Sequence, residues 1–396
     1  MATDALPQTN GPSRRKVLAA ACLAHLTCDG ITDMLYVFFP VWQQLFSLSF
    51  AQVGLMKALF SGAMAVFQIP AGYLAGGRGL RSILAGGAVL TGLPLLCGAL
   101  TESVLPLGIC LILGGMGASA QHPLASAAIS HGYSGKDSRL ALSTYNFTGD
   151  LGKLLYPAPA ALLIARLDWQ ASLCILALTS LAAGFVIMGM LRSVPLHGSS
   201  AGKQDSREAQ TGGFMSPAFA CLIGIGMLDG ATRMGFLTFL PFLLLAKGAD
   251  MSILGLALGL IFAGGAAGKL FCGVIAARAG AVRTVIITES ATAACIFAAA
   301  PLPLWGVLCL CPFLGLILNG TSSIIYGSVP ELAGKEAHSQ AFAVLYTATV
   351  GAGAVAPYFY GLLGDRLGVS PAMQMAALFV LATLPLTIPL RGKLAA

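Results

Sequence analysis

Charge is what this sequence has least of. Only 9% of its 396 residues are Asp, Glu, Lys or Arg, against about 25% in soluble proteins. Acids are scarcer than bases, 15 against 22. With 57% hydrophobic residues and a mean hydropathy of +0.84, so little charge excludes a soluble enzyme, a disordered chain and a nucleic-acid binder. Most of the chain requires lipid around it. Catalytic signatures are also missing. No HExxH is present, which argues against a zinc hydrolase in the membrane, and no GxxxxGK[ST] loop, which argues against ATP-driven pumping. The ten cysteines lie in apolar runs, without a CxxC or a Cys/His set at zinc spacing. The expectation is no catalytic residue, no metal and no cofactor.

What remains is long apolar runs. Cut at charged and Pro/Gly breaks, they predict twelve membrane-spanning helices at 17–41, 51–75, 82–100, 105–130, 140–165, 169–191, 216–245, 252–277, 283–301, 305–330, 340–364 and 371–390. The runs are continuous and too long for the alternating strands of a barrel. The expected class is an all-α polytopic membrane protein of two pseudo-symmetric six-helix bundles. The expected layout is a tail at 1–15, bundles at 16–191 and 216–391, a loop at 192–215 and a tail at 392–396. Ser13-Arg14-Arg15-Lys16 resembles a twin-arginine signal, but the apolar run continues past it with no cleavage site, so the first helix is read as retained. Counting bases loop by loop, one side holds only Arg166, Lys247 and Arg366, while most others fall on the side of the termini. This bias predicts both termini in the cytoplasm, in the inner membrane. It also absorbs most of the +7 net charge without an anionic partner.

The halves repeat. Asp29-Gly30-Ile31-Thr32-Asp33-Met34 parallels Asp229-Gly230-Ala231-Thr232-Arg233-Met234, and both lead to a proline, Pro40 and Pro241. Val53-Gly54-Leu55 pairs with Leu254-Gly255-Leu256, Gln68 with Lys269, and Pro157 with Pro357. Duplicated halves in a twelve-helix chain point to a secondary transporter whose substrate sits between them at the midplane.

Three stretches carry a family likeness: Ala24-His25-Leu26-Thr27-Cys28-Asp29 with Phe39-Pro40 and Leu48-Ser49-Phe50-Ala51-Gln52; Gly115-Met116-Gly117-Ala118-Ser119-Ala120-Gln121-His122-Pro123; and Val329-Pro330-Glu331-Leu332 with Gly361-Leu362-Leu363-Gly364-Asp365-Arg366. In these the chain resembles the major facilitator superfamily and, within it, the fosmidomycin-resistance efflux proteins. The resemblance implies proton-coupled export of small polar drugs, a phosphonate antibiotic among them. Two stretches depart from it. The loop after the second helix reads Gly76-Gly77-Arg78 where the superfamily usually has an acid before the arginine. The fifth helix carries Asp150 and Lys153 where the resembling proteins have small neutral residues.

An ionisable group in mid-membrane costs about 2.5–3.5 kcal/mol on insertion scales, so those retained are candidates for function. His25, Asp29 and Asp33 step by four along one helix face, as do Asp229 and Arg233. Asp29, with His25 and Asp33 one turn away on either side, is the leading candidate for proton coupling, the alternative being a permanent pair with Arg233 or Lys153 that locks the halves; His122 is a further candidate. Arg233, Lys153 and Lys269 suit an anionic substrate group. Asp150, Asp229, Tyr36, Tyr145, Asn146 and Tyr346 complete the expected binding set. Lys57 is expected to snorkel outward, and Glu289 to lie away from the cavity. The partners expected are a small-molecule substrate, protons and the bilayer, with no nucleic acid and a monomeric chain. The reading is a proton-coupled exporter; its alternative is an importer of a small organic anion or metal complex.

Overall fold

A computed structural model describes residues 11–133, 135–194, 215–333 and 338–394. The parts of the predicted tails and central loop at 1–10, 195–214 and 395–396 lie outside the described residues. Among the described residues there is no strand. The helices run α1 Gly11–Phe46, α2 Phe50–Arg78, α3 Leu80–Gly98, α4 Val104–Ala118, α5 Gln121–Gly132, α6 Gly135–Leu155, α7 Pro157–Arg166, α8 Trp169–Leu191, α9 Pro217–Ala246, α10 Met251–Ala279, α11 Ala281–Ala299, α12 Leu304–Gly327, α13 Val329–Leu332, α14 His338–Leu367, α15 Val369–Leu381 and α16 Thr383–Leu386. Among the described residues, ten stretches are long and apolar enough to cross a membrane. The predicted spans 105–130 and 140–165 are instead broken pairs, α4–α5 and α6–α7.

The breaks have local causes. Pro157 opens α7 at its first turn, where its missing N–H costs nothing, and so ends α6 at Leu155. Pro123 has no N–H to offer the carbonyl of Ser119, where α4 gives way to α5. Pro385 likewise denies a partner to the carbonyl of Leu381, the last residue of α15. The first helix begins earlier than its apolar run, because its bases have partners. The Lys16 ammonium donates to Ser193 Oγ at 2.9 Å, and Arg14 lies 5.1 Å over the Tyr133 ring. Its other end runs on to Phe46, held by stacking of Trp42 with Phe38, Phe39 and Trp169.

The sequence repeat is visible in the elements. Both α2 and α10 have 29 residues, and both α3 and α11 have 19. Each of the latter is preceded by a glycine at positive φ, Gly79 at 80° and Gly280 at 81°, a backbone shape that excludes most side chains.

Contacts divide the chain into two compact units that cut across the sequence halves. Of the described residues, the first holds 11–33, 66–133, 135–153 and 170–194; the second holds 34–65, 154–169, 215–333 and 338–394. In the first unit, Ala20, Ala24, Leu84, Ala125, Tyr145 and Leu191 form a core of small and large residues. In the second, Phe219, Leu222, Ile225, Ile325 and Leu345 do the same. The second unit also takes the end of α1, the start of α2 and all of α7, for a steric reason. A Cβ on Gly54 of α2 would strike the Pro357 carbonyl of α14, and one on Gly255 of α10 would strike Ala161 of α7. These are matching positions of the repeat, so both junctions close at backbone contact. At the first of them, the Asp365 carboxylate accepts from the N–H groups of Phe50 (2.6 Å) and Ala51 (3.0 Å), capping α2.

Candidate functional site

In the first unit, α1, α5 and α6 bring four ionisable side chains together, three of them around one carboxylate. Asp29 and His25 are buried, 7% and 5% exposed, while the side chains of His122 and Lys153 are about a quarter exposed, 24% and 27%. Asp29 Oδ2 lies 3.3 Å from His25 Nε2 and 3.3 Å from Lys153 Nζ, and its Oδ1 lies 3.4 Å from His122 Nε2. One carboxylate oxygen thus meets a buried imidazole and a partly exposed ammonium, and the other a partly exposed imidazole.

His25 is held on every side. Its Nδ1 lies 2.9 Å from the Tyr145 carbonyl. A carbonyl only accepts, so Nδ1 carries the hydrogen. The Tyr145 ring stacks on the imidazole at 4.1 Å, and the His122 ring meets it edge-on at 5.0 Å. Two glycines of α6 make this possible. A Cβ on Gly149 would enter the His25 ring, and one on Gly152 would strike the Leu26 carbonyl. Only glycine lets α6 approach α1 closely enough for Lys153 to reach Asp29.

The ligand-type atoms of His25, Asp29 and His122 fall within 4.8 Å of one another. That spacing could hold a transition metal. The same carboxylate, however, already has an ammonium at 3.3 Å, so a metal cation would have to displace Lys153. The arrangement reads as an ion-pair network.

In the second unit Asp229, the repeat counterpart of Asp29, takes its cation from its own helix. Arg233 Nη2 lies 3.7 Å from Asp229 Oδ2. A further acid of this unit, Glu289 of α11, is 1% exposed. Tyr326 and Tyr346 stand ring to ring at 6.1 Å on α12 and α14. Here the close approach of helices is reversed: Gly226 and Gly230 of α9 face Thr349 of α14.

The remaining expected residues are placed as follows. Asp33 lies one turn beyond Asp29 and is buried. Tyr36 is fully buried in the second unit, its hydroxyl 3.2 Å from Met234 Sδ and its ring 4.3 Å from the Lys57 ammonium. Asp150 and Lys269 are half-buried, and Asn146 is exposed. One residue differs from expectation. Lys57 does not snorkel: it is fully buried, its charge over an aromatic face. Glu289 is buried near the middle of α11.

Comparison with known proteins agrees with this architecture. The family model described as Major Facilitator Superfamily matches residues 21–357. The chain is 32% identical over 173 residues to the fosmidomycin resistance protein of Escherichia coli (strain K12), a match spanning 42% of each protein. It is 26% identical over 400 residues to the uncharacterized MFS-type transporter YfnC of Bacillus subtilis (strain 168), covering 98% of this chain and 96% of that one. Among solved structures, a bacterial homolog of the human lysosomal transporter Spinster, inward-facing and unoccupied, superposes with a TM-score of 0.75 at 16% identity, over 96% of this chain and 97% of that one. A point mutant of the nucleoside transporter NupG gives 0.75 at 14% identity, over 96% and 100%. With ten candidate spans among the described residues, the repeat and a family model over most of its length, the chain belongs to the Major Facilitator Superfamily.

Proposed function

We propose that this transporter is a proton-coupled exporter of a small polar or anionic, drug-like compound. It works as a monomer by alternating access, in the cytoplasmic (inner) membrane with both termini inside. One observation carries the proton part. His25 gives its Nδ1 hydrogen to the Tyr145 carbonyl, so its Nε2 can bond Asp29, 3.3 Å away, only when it too is protonated. A proton arriving at His25 makes a charge-assisted bond. A proton leaving sets a lone pair against a carboxylate, and Asp29 then relies on Lys153 and His122. This is a two-state element biased by one proton.

The cations supply the substrate part. Lys153 at a quarter exposure and Arg233 suit an anionic group. An anion approaching Lys153 competes with Asp29 for it, so proton and substrate each change the other's affinity, as coupling requires. Export of a drug-like compound is supported by the likeness to the fosmidomycin resistance protein. The inward placement of the termini is supported by the one-sided distribution of bases.

The test is flux in proteoliposomes under an imposed pH gradient, with phosphonates such as fosmidomycin and simple organic acids as probes. Asp29→Asn is expected to abolish gradient-driven transport while leaving substrate–substrate exchange intact. Wild-type coupling in that variant removes Asp29 from the mechanism. Wild-type flux that runs down the proton gradient together with the substrate would replace export by the importer reading.

A further inference from the structure

We propose that α14 and α15 form a binding site for one anionic phospholipid, with the Arg366 guanidinium on its phosphate and an apolar cavity around an acyl chain. The cavity has a volume of about 420 Å³ and is lined by Phe359, Tyr360, Leu362, Leu363 and Arg366 of α14 and Phe379 of α15. That is within the size of small-molecule pockets, about 300–1,000 Å³. Both helices lie in candidate membrane spans. Phe359 is 57% and Phe379 46% exposed, so the cavity opens on the surface these helices turn to lipid.

Arg366 stands in the last turn of α14, where a long cationic side chain reaches the headgroup layer. Among the described residues no carboxylate pairs with it. Its neighbour Asp365 accepts instead from the N–H groups of Phe50 and Ala51. A guanidinium without an acid, at the rim of an apolar hollow, fits an amphiphile with a phosphate at one end. The planar fork takes two phosphate oxygens, and the aromatic and leucine walls take hydrocarbon. A soluble anion would gain nothing from those walls. A headgroup carrying its own cation would set a second positive charge beside Arg366, so an anionic lipid is preferred.

The repeat separates charge from cavity. Arg166 stands where Arg366 does, and Leu162 and Leu163 match Leu362 and Leu363. The aromatic walls do not recur. In the same register Phe359, Tyr360 and Phe379 are matched by Pro159, Ala160 and Thr179. A base at this end of the crossing is common to both halves, and the aromatic lining belongs to the second alone.

The site also has a consequence for the junction with α2. At about 3.6 residues per turn, Phe359, Leu362, Leu363 and Arg366 share one face of α14, and Pro357, Gly361 and Asp365 the opposite one. The second face meets α2. Gly54 closes on Pro357, a Cβ on Gly361 would strike the Phe50 carbonyl, and Asp365 caps the helix. Tyr360 is wedged against α9, where a Cβ on Gly235 would enter its ring. A lipid on the first face therefore braces the segment whose other face closes the junction, and the two states of the junction bind it unequally.

The experiment is native mass spectrometry of the full chain, titrated in detergent with phosphatidylglycerol or phosphatidylcholine. The wild type is expected to hold one phosphatidylglycerol more tightly than phosphatidylcholine. Arg366→Gln is expected to weaken that lipid about tenfold, the scale of one charge-assisted contact. Phe379→Thr, which installs the first half's residue, weakens it with the charge intact. Arg166→Gln leaves it unchanged. Wild-type affinity in Arg366→Gln, or equal losses in Arg366→Gln and Arg166→Gln, overturns the proposal. So does displacement of the lipid by millimolar inorganic phosphate, which would assign the cation to a soluble anion. If Arg366→Gln does not fold, Phe379→Thr and the phosphate competition decide. In nanodiscs, spin labels at the start of α2 and the end of α14 are expected to give a narrower distance distribution with phosphatidylglycerol than with phosphatidylcholine. Equal distributions in the two lipids would overturn the bracing role. None of these readouts depends on proton coupling or on export.

Discussion

At the scale of single residues, the first-half site depends on one imidazole having no freedom. Its Nδ1 is committed to a carbonyl, one ring face lies on Tyr145, and Gly149 leaves no gap beside it. The consequence is testable at Gly149, which contributes no chemistry of its own. Gly149→Ala drives a methyl group into the ring. Overpacking of this kind costs about 1–3 kcal/mol, and His25 relieves it by leaving Asp29. Thermal unfolding in detergent should show the loss of stability, and the pH profile of substrate exchange should flatten. A destabilised protein with an unchanged pH profile would mean that His25 is packing and not a switch. Arg233 makes a different prediction. If it reads an anionic group, Arg233→Gln raises the apparent KM for anionic substrates and leaves neutral ones unchanged, whereas an equal loss for both marks a structural ion pair.

At the scale of helices, much was legible and the exceptions are instructive. The eighth helix, Trp169–Leu191, was predicted to the residue, because an apolar run with no internal proline has only its polar ends to define it. The spans 105–130 and 140–165 each proved to be two helices. Hydropathy does not register a missing N–H, and Pro123 and Pro157 break hydrogen bonds without interrupting the apolar run. The cluster around Asp29 was partly legible from the four-residue step of His25 to Asp29. Lys153 and His122 reach it through long-range packing that no local spacing reveals. The Asp365 cap on α2 was invisible for the same reason, since 315 residues separate Phe50 from its acceptor. Loss of a capping side chain costs about 0.5–2 kcal/mol, and here the cap joins elements from opposite halves of the sequence. Asp365→Ala should therefore loosen that junction. Spin labels near the start of α2 and the end of α14 should report a broader and longer distance distribution, with Asp365→Asn intermediate because it keeps an acceptor oxygen. Identical distributions in all three proteins would show that the Gly54–Pro357 contact alone closes the junction.

At the scale of the whole molecule, duplication explains both what the halves share and where they differ. Helix lengths, capping glycines and the Asp29/Asp229 pair were inherited twice. The partners then diverged: Asp29 draws its lysine from α6, Asp229 draws its arginine from its own helix, and an acid replaces Ala88 as Glu289 in the second copy alone. Equal scaffolds with unequal charges are what a coupled device needs, since two identical halves would have no reason to treat proton and substrate differently. The same asymmetry of charge governs how the chain sits in lipid. On the proposed topology only Arg166, Lys247 and Arg366 fall on the side away from the termini, and lysine and arginine near membrane crossings favour the cytoplasmic side. Single cysteines at 168 and 249, placed in a background free of other reactive thiols, should therefore react with a membrane-impermeant maleimide added outside intact cells. A cysteine at 203 should react only after the cells are opened. The reverse labelling pattern would invert the molecule in the membrane, and with it the direction in which a proton gradient drives every flux predicted above.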